Sequence, residues 1–382
     1  MSQRALSNRS QRNLERIRHS TLRLAAIDGW SAIMFHIVAN EAGLSVRPIR
    51  ERFRDRAALG ADLWSSELAD VFSHAVTEMN KAVDHCDAEH LSLVASTFTR
   101  PDQKMLAISE LLVVASFVEP IRIAVQKTAS DHSWISLDTD VYQRTRRAYT
   151  LAIMLGSLFL VRTENQPAPT LNLYFEKLIQ AFSETIEVDE LPQNSANHLD
   201  LPAQFGTQDE AWEKLLHSAM MLFGTVGFDA ATVNEIAFQS GRTEGFLFNH
   251  YSTKRELFND VALRSATTGF PLNEAFQTKL QETFPPGIVE AVTIREFMKP
   301  GRERNRTFYL EQLRLSWHDP VLSLQTEAVT RKAISEINRS TELTEATKFI
   351  QQALGIGVLV LAMIAPETWL IPFHIVSQPL LD

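Results

Sequence analysis

The chain has 382 residues, enough for more than one domain core, and its apolar share of 45% is ordinary for a soluble globular protein. Its net charge of -9 excludes a generally cationic nucleic-acid binder, so any DNA binding must come from a local basic patch. Cys86 is the single cysteine, which excludes an internal disulfide and suits a reducing cytoplasm. MSQRALSNRSQR lacks the apolar segment of a secretory signal, and the longest apolar run, Ala353 to Ala365, is too short to span a bilayer. The expectation is a cytoplasmic protein with no membrane partner.

Residues 1–13 are polar and Arg-rich and are expected to form a basic flexible arm, either following a DNA groove, as homeodomain arms do, or solvated. Residues 1–56 hold eleven arginines against five acids. Helical periodicity through Leu14, Ile17, Leu24 and Ala25 closes at Asp28-Gly29, and a second helix runs to about Ala42. Ser45 is placed to cap a third helix reaching Phe53, with Pro48 tolerated in its first turn. Arg47, Arg50 and Arg54 fall at i, i+3 and i+7, on one face, with Arg52 beside them and Arg56 just beyond. Such a stripe is a solvated charged face on most helices; on a helix that enters a groove it supplies phosphate and guanine contacts. Its position on the third helix favours DNA.

A long helix is expected from Ala57 to about Val83, followed by helical segments broken at Pro101, Pro120, Asp131–Ser133 and Gln166–Pro169. Asp138–Leu160 and Leu171–Ile186 are amphipathic. Asp84, His85, Cys86, Asp87, Glu89 and His90 lack metal-ligand spacing and read as a polar loop, so no metal is expected. Residues 188–207, with Pro192, Pro202 and Gly206, form the natural linker; about twenty residues reach roughly 65–70 Å when extended.

Beyond the linker, Thr232 to Leu257 is densely punctuated. Thr232 with Glu235 makes a capping box, Gly241 ends that helix, Thr243 can cap the next, and Thr253 with Glu256 repeats the box. Two short helices around a Gly-containing turn make a helix-turn-helix. With Phe223, Gly227, Phe228, Ile236, Ala237, Gly245, Leu247, Phe248, His250, Tyr251 and Lys254, this stretch resembles the DNA-binding end of the TetR/AcrR family of bacterial transcription regulators. Gly29 and Gly43 answer Gly227 and Gly241 at one offset of 198 residues, and Glu15, His19, Ser20, Leu24, Ala32, Ala39, Leu59 and Asp62 recur identically at that spacing. The chain looks like two family members in tandem. Ser116–Ile121 answers Ser316–Val321 at 200, and Leu155–Leu158 answers Ile356–Leu359 at 201, which extends the duplication past the heads.

The resemblance implies an all-α fold of two units, each a three-helix DNA-binding head followed by a helical ligand-binding and dimerisation domain, arranged as an intramolecular pseudo-dimer. The expected boundaries are 14–56 and 57–187 for the first unit, 208–254 and 255–382 for the second. DNA-facing residues would be Ser45, Arg47, Pro48, Arg50, Arg52, Arg54 and Arg56 in head one, and Thr232, Thr243, Asn249, His250 and Lys254 in head two. Met34 stands where Thr232 stands, so the second helix of head one lacks the usual cap, and Arg50 and Arg52 replace Phe248 and His250. Glu244 adds an acid to the second reading helix. The heads therefore either read different half-sites of an asymmetric operator, or head two is mainly structural. Glu110, Phe117, Trp134, Phe308, Tyr309, Trp317 and His318 are candidates for an effector pocket, with Arg314 as a polar partner, although core packing explains the aromatics as well. Pro366 to Asp382, interrupted at Pro372 and Pro379, shortens the last interface helix.

Function follows as an expectation: a DNA-binding regulator, a repressor released by an unidentified small molecule, its partners being double-stranded DNA, its own second repeat and, in one version, a further copy. The alternative is a helical protein-interaction module with a degenerate second head. HExxH, GxSxG, phosphate-cradling glycine loops and zinc-type spacings are absent from the sequence, so neither catalysis nor a cofactor is expected.

Overall fold

The computed structural model describes residues 8–135, 139–164, 168–184, 191–192, 205–337 and 344–381, which form helices and no strand. The chain packs as two compact units, one from residues up to 76 with 101–134, the other from 77–100 with residues 135 onward.

In the first unit α1 (Asn8–Ile27) is followed by Gly29, at φ 79°, and a 3-10 turn, Trp30–Ala32. α1 begins six residues earlier than apolar periodicity suggests: residues 8–13, expected in the arm, are its first turns. Arg52 anchors them by donating from Nη2 to the Ser10 carbonyl at 2.7 Å, a tertiary bond that local spacing does not reveal. Residues 1–7 lie outside the described residues. α2 (Phe35–Glu41), α3 (Arg47–Arg50) and α4 (Arg56–Leu63) complete the head, with Gly43 at φ 59° making the turn between α2 and α3. α4 passes through a π-helical turn, Trp64–Leu68, into α5 (Ala69–Asp84), so the long helix expected here carries a bulge. At the bulge Trp64 is fully buried and donates from Nε1 to Thr128 Oγ1 at 3.0 Å.

α6 (Ala88–Thr99) belongs to the second unit, α7 (Gln103–Val114) and α8 (Glu119–Asp131) to the first. α7 lies along α1, and α8 against α4. There a Cβ on Gly60 would come within 2.7 Å of Ile121 and 2.8 Å of Trp30.

The second unit continues with α9 (Val141–Glu164), α10 (Asn172–Ser183), α11 (Glu210–Ala230), α12 (Val233–Gln239), α13 (Glu244–Phe248), α14 (Lys254–Gln281) and α15 (Pro286–Met298). α16 (Glu303–Ser316), α17 (Pro320–Ile337) and α18 (Glu345–Ile364) follow, then a 3-10 turn, Pro366–Leu370, and the short α19 (His374–Leu381). α11 is broken at Gly227, whose φ of 77° repeats that of Gly29. α16 crosses α11 where Gly224 permits it, since a Cβ there would meet the Arg304 carbonyl at 2.4 Å. Phe223, Phe228, Phe258 and Phe308 pack as neighbouring rings with centroids 5.0–5.9 Å apart and form the core of the second head.

The closest crossing is between α9 and α18. A Cβ on Gly156 would lie 1.6 Å from the Ala353 carbonyl oxygen, and one on Gly357 would lie 1.7 Å from that of Ala152. Both helices are buried nearly all round through this region. α18 has the length and composition of a membrane span, but 67% of its apolar window is buried inside the unit.

This crossing joins, within the second unit, helices from both sides of residue 187. α9 and α10 precede the linker in sequence yet share a core with α18 and α19. Most of the linker lies outside the described residues. Of its remainder, the Leu191 and Pro192 carbonyls accept from Arg295 at 3.3 and 2.6 Å, and the Phe205 N–H donates to Glu213 at 2.6 Å.

Candidate nucleic-acid interface

In head one the reading helix is a single turn. Val46, not Ser45, occupies the N-cap of α3, and no side chain caps it; Ser45 is exposed beside it and Pro48 sits in the first turn. Because the helix stops at Arg50, the expected face of Arg47, Arg50 and Arg54 does not form as one stripe. Arg47 and Arg50 project into solvent, Arg47 forming a 2.7 Å ion pair with Glu51 on its own helix while remaining 86% exposed. Arg52 turns inward to Ser10. Arg54 pairs with Asp55 at 2.8 Å; Asp55 also caps α4, and the Ala58 N–H, then Arg54, hold its carboxyl below the usual range. Arg56 lies 4.5 Å over the Trp30 ring and reaches the Trp30 carbonyl at 3.5 Å. Of the five arginines, Arg47 and Arg50 are the two that stand exposed on α3 itself, Arg47 with Glu51 as its partner.

Head two is better capped and less cationic. Thr232 accepts from Glu235 N, Thr243 from Phe246 N and Thr253 from Glu256 N, at 3.1, 3.3 and 3.1 Å. Gly241 turns the chain at φ 69°. Glu244 accepts from Asn234 at 2.8 Å, Asn249 and His250 are exposed, and the His250 ring nitrogen meets the Phe246 carbonyl at 3.0 Å. Lys254, expected to face phosphate, is drawn inward: its ammonium donates to the Phe228 and Ala231 carbonyls at 2.7 and 2.8 Å and sits 4.4 Å from the Phe228 ring. Burial pushes its pKa down. Phe238 and Phe248 are 80% and 50% exposed on this head, an apolar feature that helical periodicity alone did not separate from core.

Both heads are tied to the helices behind them by a buried carboxylate. Trp30 N donates to Glu110 at 2.6 Å, and Phe228 N to Glu311 at 2.8 Å. Arg314 holds Glu311 through two bonds of 2.6 and 2.9 Å. Sequence reasoning offered Glu110 to an effector and passed over Glu311. The available signal was the recurrence of a glutamate at the offset of 201 that also relates Gly156 to Gly357, Glu110 standing as a lone acid in an apolar run and Glu311 in a more polar one.

The other pocket candidates fall in both units, Phe117 and Trp134 in the first and Phe308, Tyr309, Trp317 and His318 in the second. Trp134 is buried in the first unit, edge-on to Phe72 at 4.8 Å, with Nε1 3.3 Å from Ser73 Oγ, and Phe117 is half-buried at the α7–α8 turn. Phe308 is core of head two. Trp317 donates to Thr163 at 3.1 Å beneath the Arg162 guanidinium, 4.0 Å from its ring, and His318 ends the same turn half-buried. Tyr309 is half-buried on α16, with burial pushing its pKa up to about 12. In the His/Cys/Asp stretch Asp84 binds Arg147 and Asp87 caps α6; among the described residues no metal-ligating cluster forms.

A short helix, a glycine turn and a second short helix, each set held by a preceding longer helix, define a helix-turn-helix. Residues 215–261, from within α11 to the first turns of α14, match the family described as bacterial regulatory proteins, tetR family. No curated protein matches the chain. The match supports a DNA-binding transcription regulator, and it falls on the head whose Lys254 is withdrawn rather than on the one with exposed arginines.

Proposed function

We propose that this chain is a sequence-specific transcription regulator made of two tetR-like units in tandem, and that head one is its principal DNA reader. The observation that carries this is the exposure of Arg47 and Arg50 on α3, against the inward turn of Lys254 at head two. Guanidinium groups exposed on a short helix suit both phosphate and the O6/N7 edge of guanine, with Glu51 giving up Arg47 to the duplex. The two heads, being chemically unlike, address unequal half-sites of an asymmetric operator.

The α9–α18 crossing supports intramolecular pairing. Ala152 and Gly156 answer Ala353 and Gly357 at one offset, and each glycine receives the other helix's alanine carbonyl. Such reciprocity is what a two-fold interface produces, here within one chain. Repression relieved by a small molecule in the cytoplasm, without catalysis or cofactor, is the mode that family likeness implies. A second reading, that head two docks protein, draws on exposed Phe238 and Phe248 beside Glu244.

Selection of duplexes from a fragmented genome by the purified chain, followed by footprinting, tests the proposal. A footprint with two unequal halves agrees with it. Two equivalent halves of a palindrome, each covered by head one of a different chain, contradict it.

A further inference from the structure

The first turns of α1 carry a row of arginines outside the helix-turn-helix. Arg9, Arg12 and Arg16 are spaced i, i+3 and i+7, lie on one face, and are all exposed. Glu15 is the only acid in α1, and among the described residues no ion pair engages Arg9 or Arg12. A polyanion laid across the face would neutralise these like charges.

The face is fixed beside the reading helix from two directions. Arg16 donates from Nη2 to the carbonyl of Gly43, the turn glycine between α2 and α3, at 3.2 Å. Arg52, just past α3, donates to the Ser10 carbonyl at 2.7 Å and to its hydroxyl. Residues 8–13 of the expected arm are thus helical, and the start of α1 is bound to both the turn before α3 and the residue just past it. Head two has no equivalent, because Thr207 and Glu210 stand at the places of Arg9 and Arg12, and α11 begins only at Glu210.

We infer that Arg9 and Arg12 contact backbone phosphates flanking the bases read by Arg47 and Arg50, so that head one grips the duplex through α1 as well as α3. This rests on the reading of head one as the DNA reader. Contacts to phosphate set position and affinity but carry no sequence information, which gives them a signature distinct from base contacts.

The test is the salt dependence of binding to the genome-selected duplex and to a shuffled duplex of equal length, for wild type, Arg9→Ala/Arg12→Ala and Arg9→Lys/Arg12→Lys. Each phosphate contact contributes about −0.9 to the log–log slope, so the alanine variant should be shallower by about 1.8. Between 50 and 200 mM salt it should lose about 12-fold less affinity than wild type. Its preference for selected over shuffled duplex should be unchanged, and the lysine variant should keep the wild-type slope. Both side chains are exposed, so the circular-dichroism melting curve should not move. An alanine variant with the wild-type slope overturns this inference alone. A folded wild type that binds neither duplex overturns the DNA reading and this inference with it.

Discussion

Phe228 and Glu311 are joined by a buried hydrogen bond of 2.8 Å from backbone N–H to carboxylate, and Trp30 and Glu110 are joined in the same way at 2.6 Å. Each donor follows a glycine of positive φ, and each acceptor stands on a helix outside the three-helix head. A displacement of α7 or α16 therefore pulls directly on the backbone of the head it holds. In the second unit Arg314, 2% exposed, fixes the carboxylate; Val113 stands at the matching place in the first.

Glu311→Ala strands the Phe228 N–H and takes the nearer of two carboxylates, Glu311 and Asp229, from buried Arg314, and should cost about 3–5 kcal/mol. Glu110→Ala strands the Trp30 N–H and should cost about 1–3 kcal/mol. Glutamine at either place keeps the acceptor and should cost less than alanine. Urea denaturation measures all four variants; equal losses below about 1 kcal/mol for both alanines would show that the carboxylates are idle.

The α9–α18 crossing predicts symmetry of damage. Gly156→Leu and Gly357→Leu each drive a side chain into a facing carbonyl, and overpacking of this kind costs about 1–3 kcal/mol or more. The two thermal midpoints should fall by similar amounts, and wild type should have the light-scattering mass of one chain. A Gly357→Leu variant as stable as wild type would show that the helices do not meet there.

Glu290 on α15 accepts from the Tyr149 hydroxyl at 2.7 Å, and burial pushes its carboxyl up to about 7. A carboxyl raised above its unfolded value binds more protons when folded, so its contribution to stability falls as pH rises from about 4.5 to about 7 and is flat above. The loss is on the order of 3 kcal/mol. Glu290→Gln, which keeps an acceptor for Tyr149, should lose this slope. Parallel wild-type and variant stability curves across that window would contradict the assignment.

Lys254→Met removes the donor from the Phe228 and Ala231 carbonyls. It should destabilise the second head by about 1–3 kcal/mol while leaving the salt slope of DNA binding unchanged. A slope shallower by about 0.9 would show that Lys254 swings out to phosphate after all.

Head two was the more legible of the heads because Thr232, Thr243 and Thr253 cap through local bonds, and Gly241 marks its own turn. Head one hid more. Its α2 starts at uncapped Met34, as expected, but α3 starts at uncapped Val46 and ends after one turn. The destinations of Arg52, Arg54 and Arg56 depend on Ser10, Asp55 and Trp30, two of them distant in sequence. Spacing placed the arginines on a helix; it could not count which of them tertiary bonds would consume. The glycine repeat at 156 and 357 was visible as sequence, but that the two glycines face each other is a property of the fold. Buried aromatics such as Trp134 and Phe308 have the composition of a pocket lining and the surroundings of a core.

The most direct test of the DNA reading compares wild type, Arg47→Ala/Arg50→Ala and Asn249→Ala/His250→Ala by fluorescence anisotropy on a labelled selected duplex, titrated with salt. Loss of sequence-selective binding in the first variant, with the second within a few-fold of wild type, is the predicted result. Unimpaired binding by Arg47→Ala/Arg50→Ala, with loss in the Asn249/His250 pair, would contradict the account and make head two the reader.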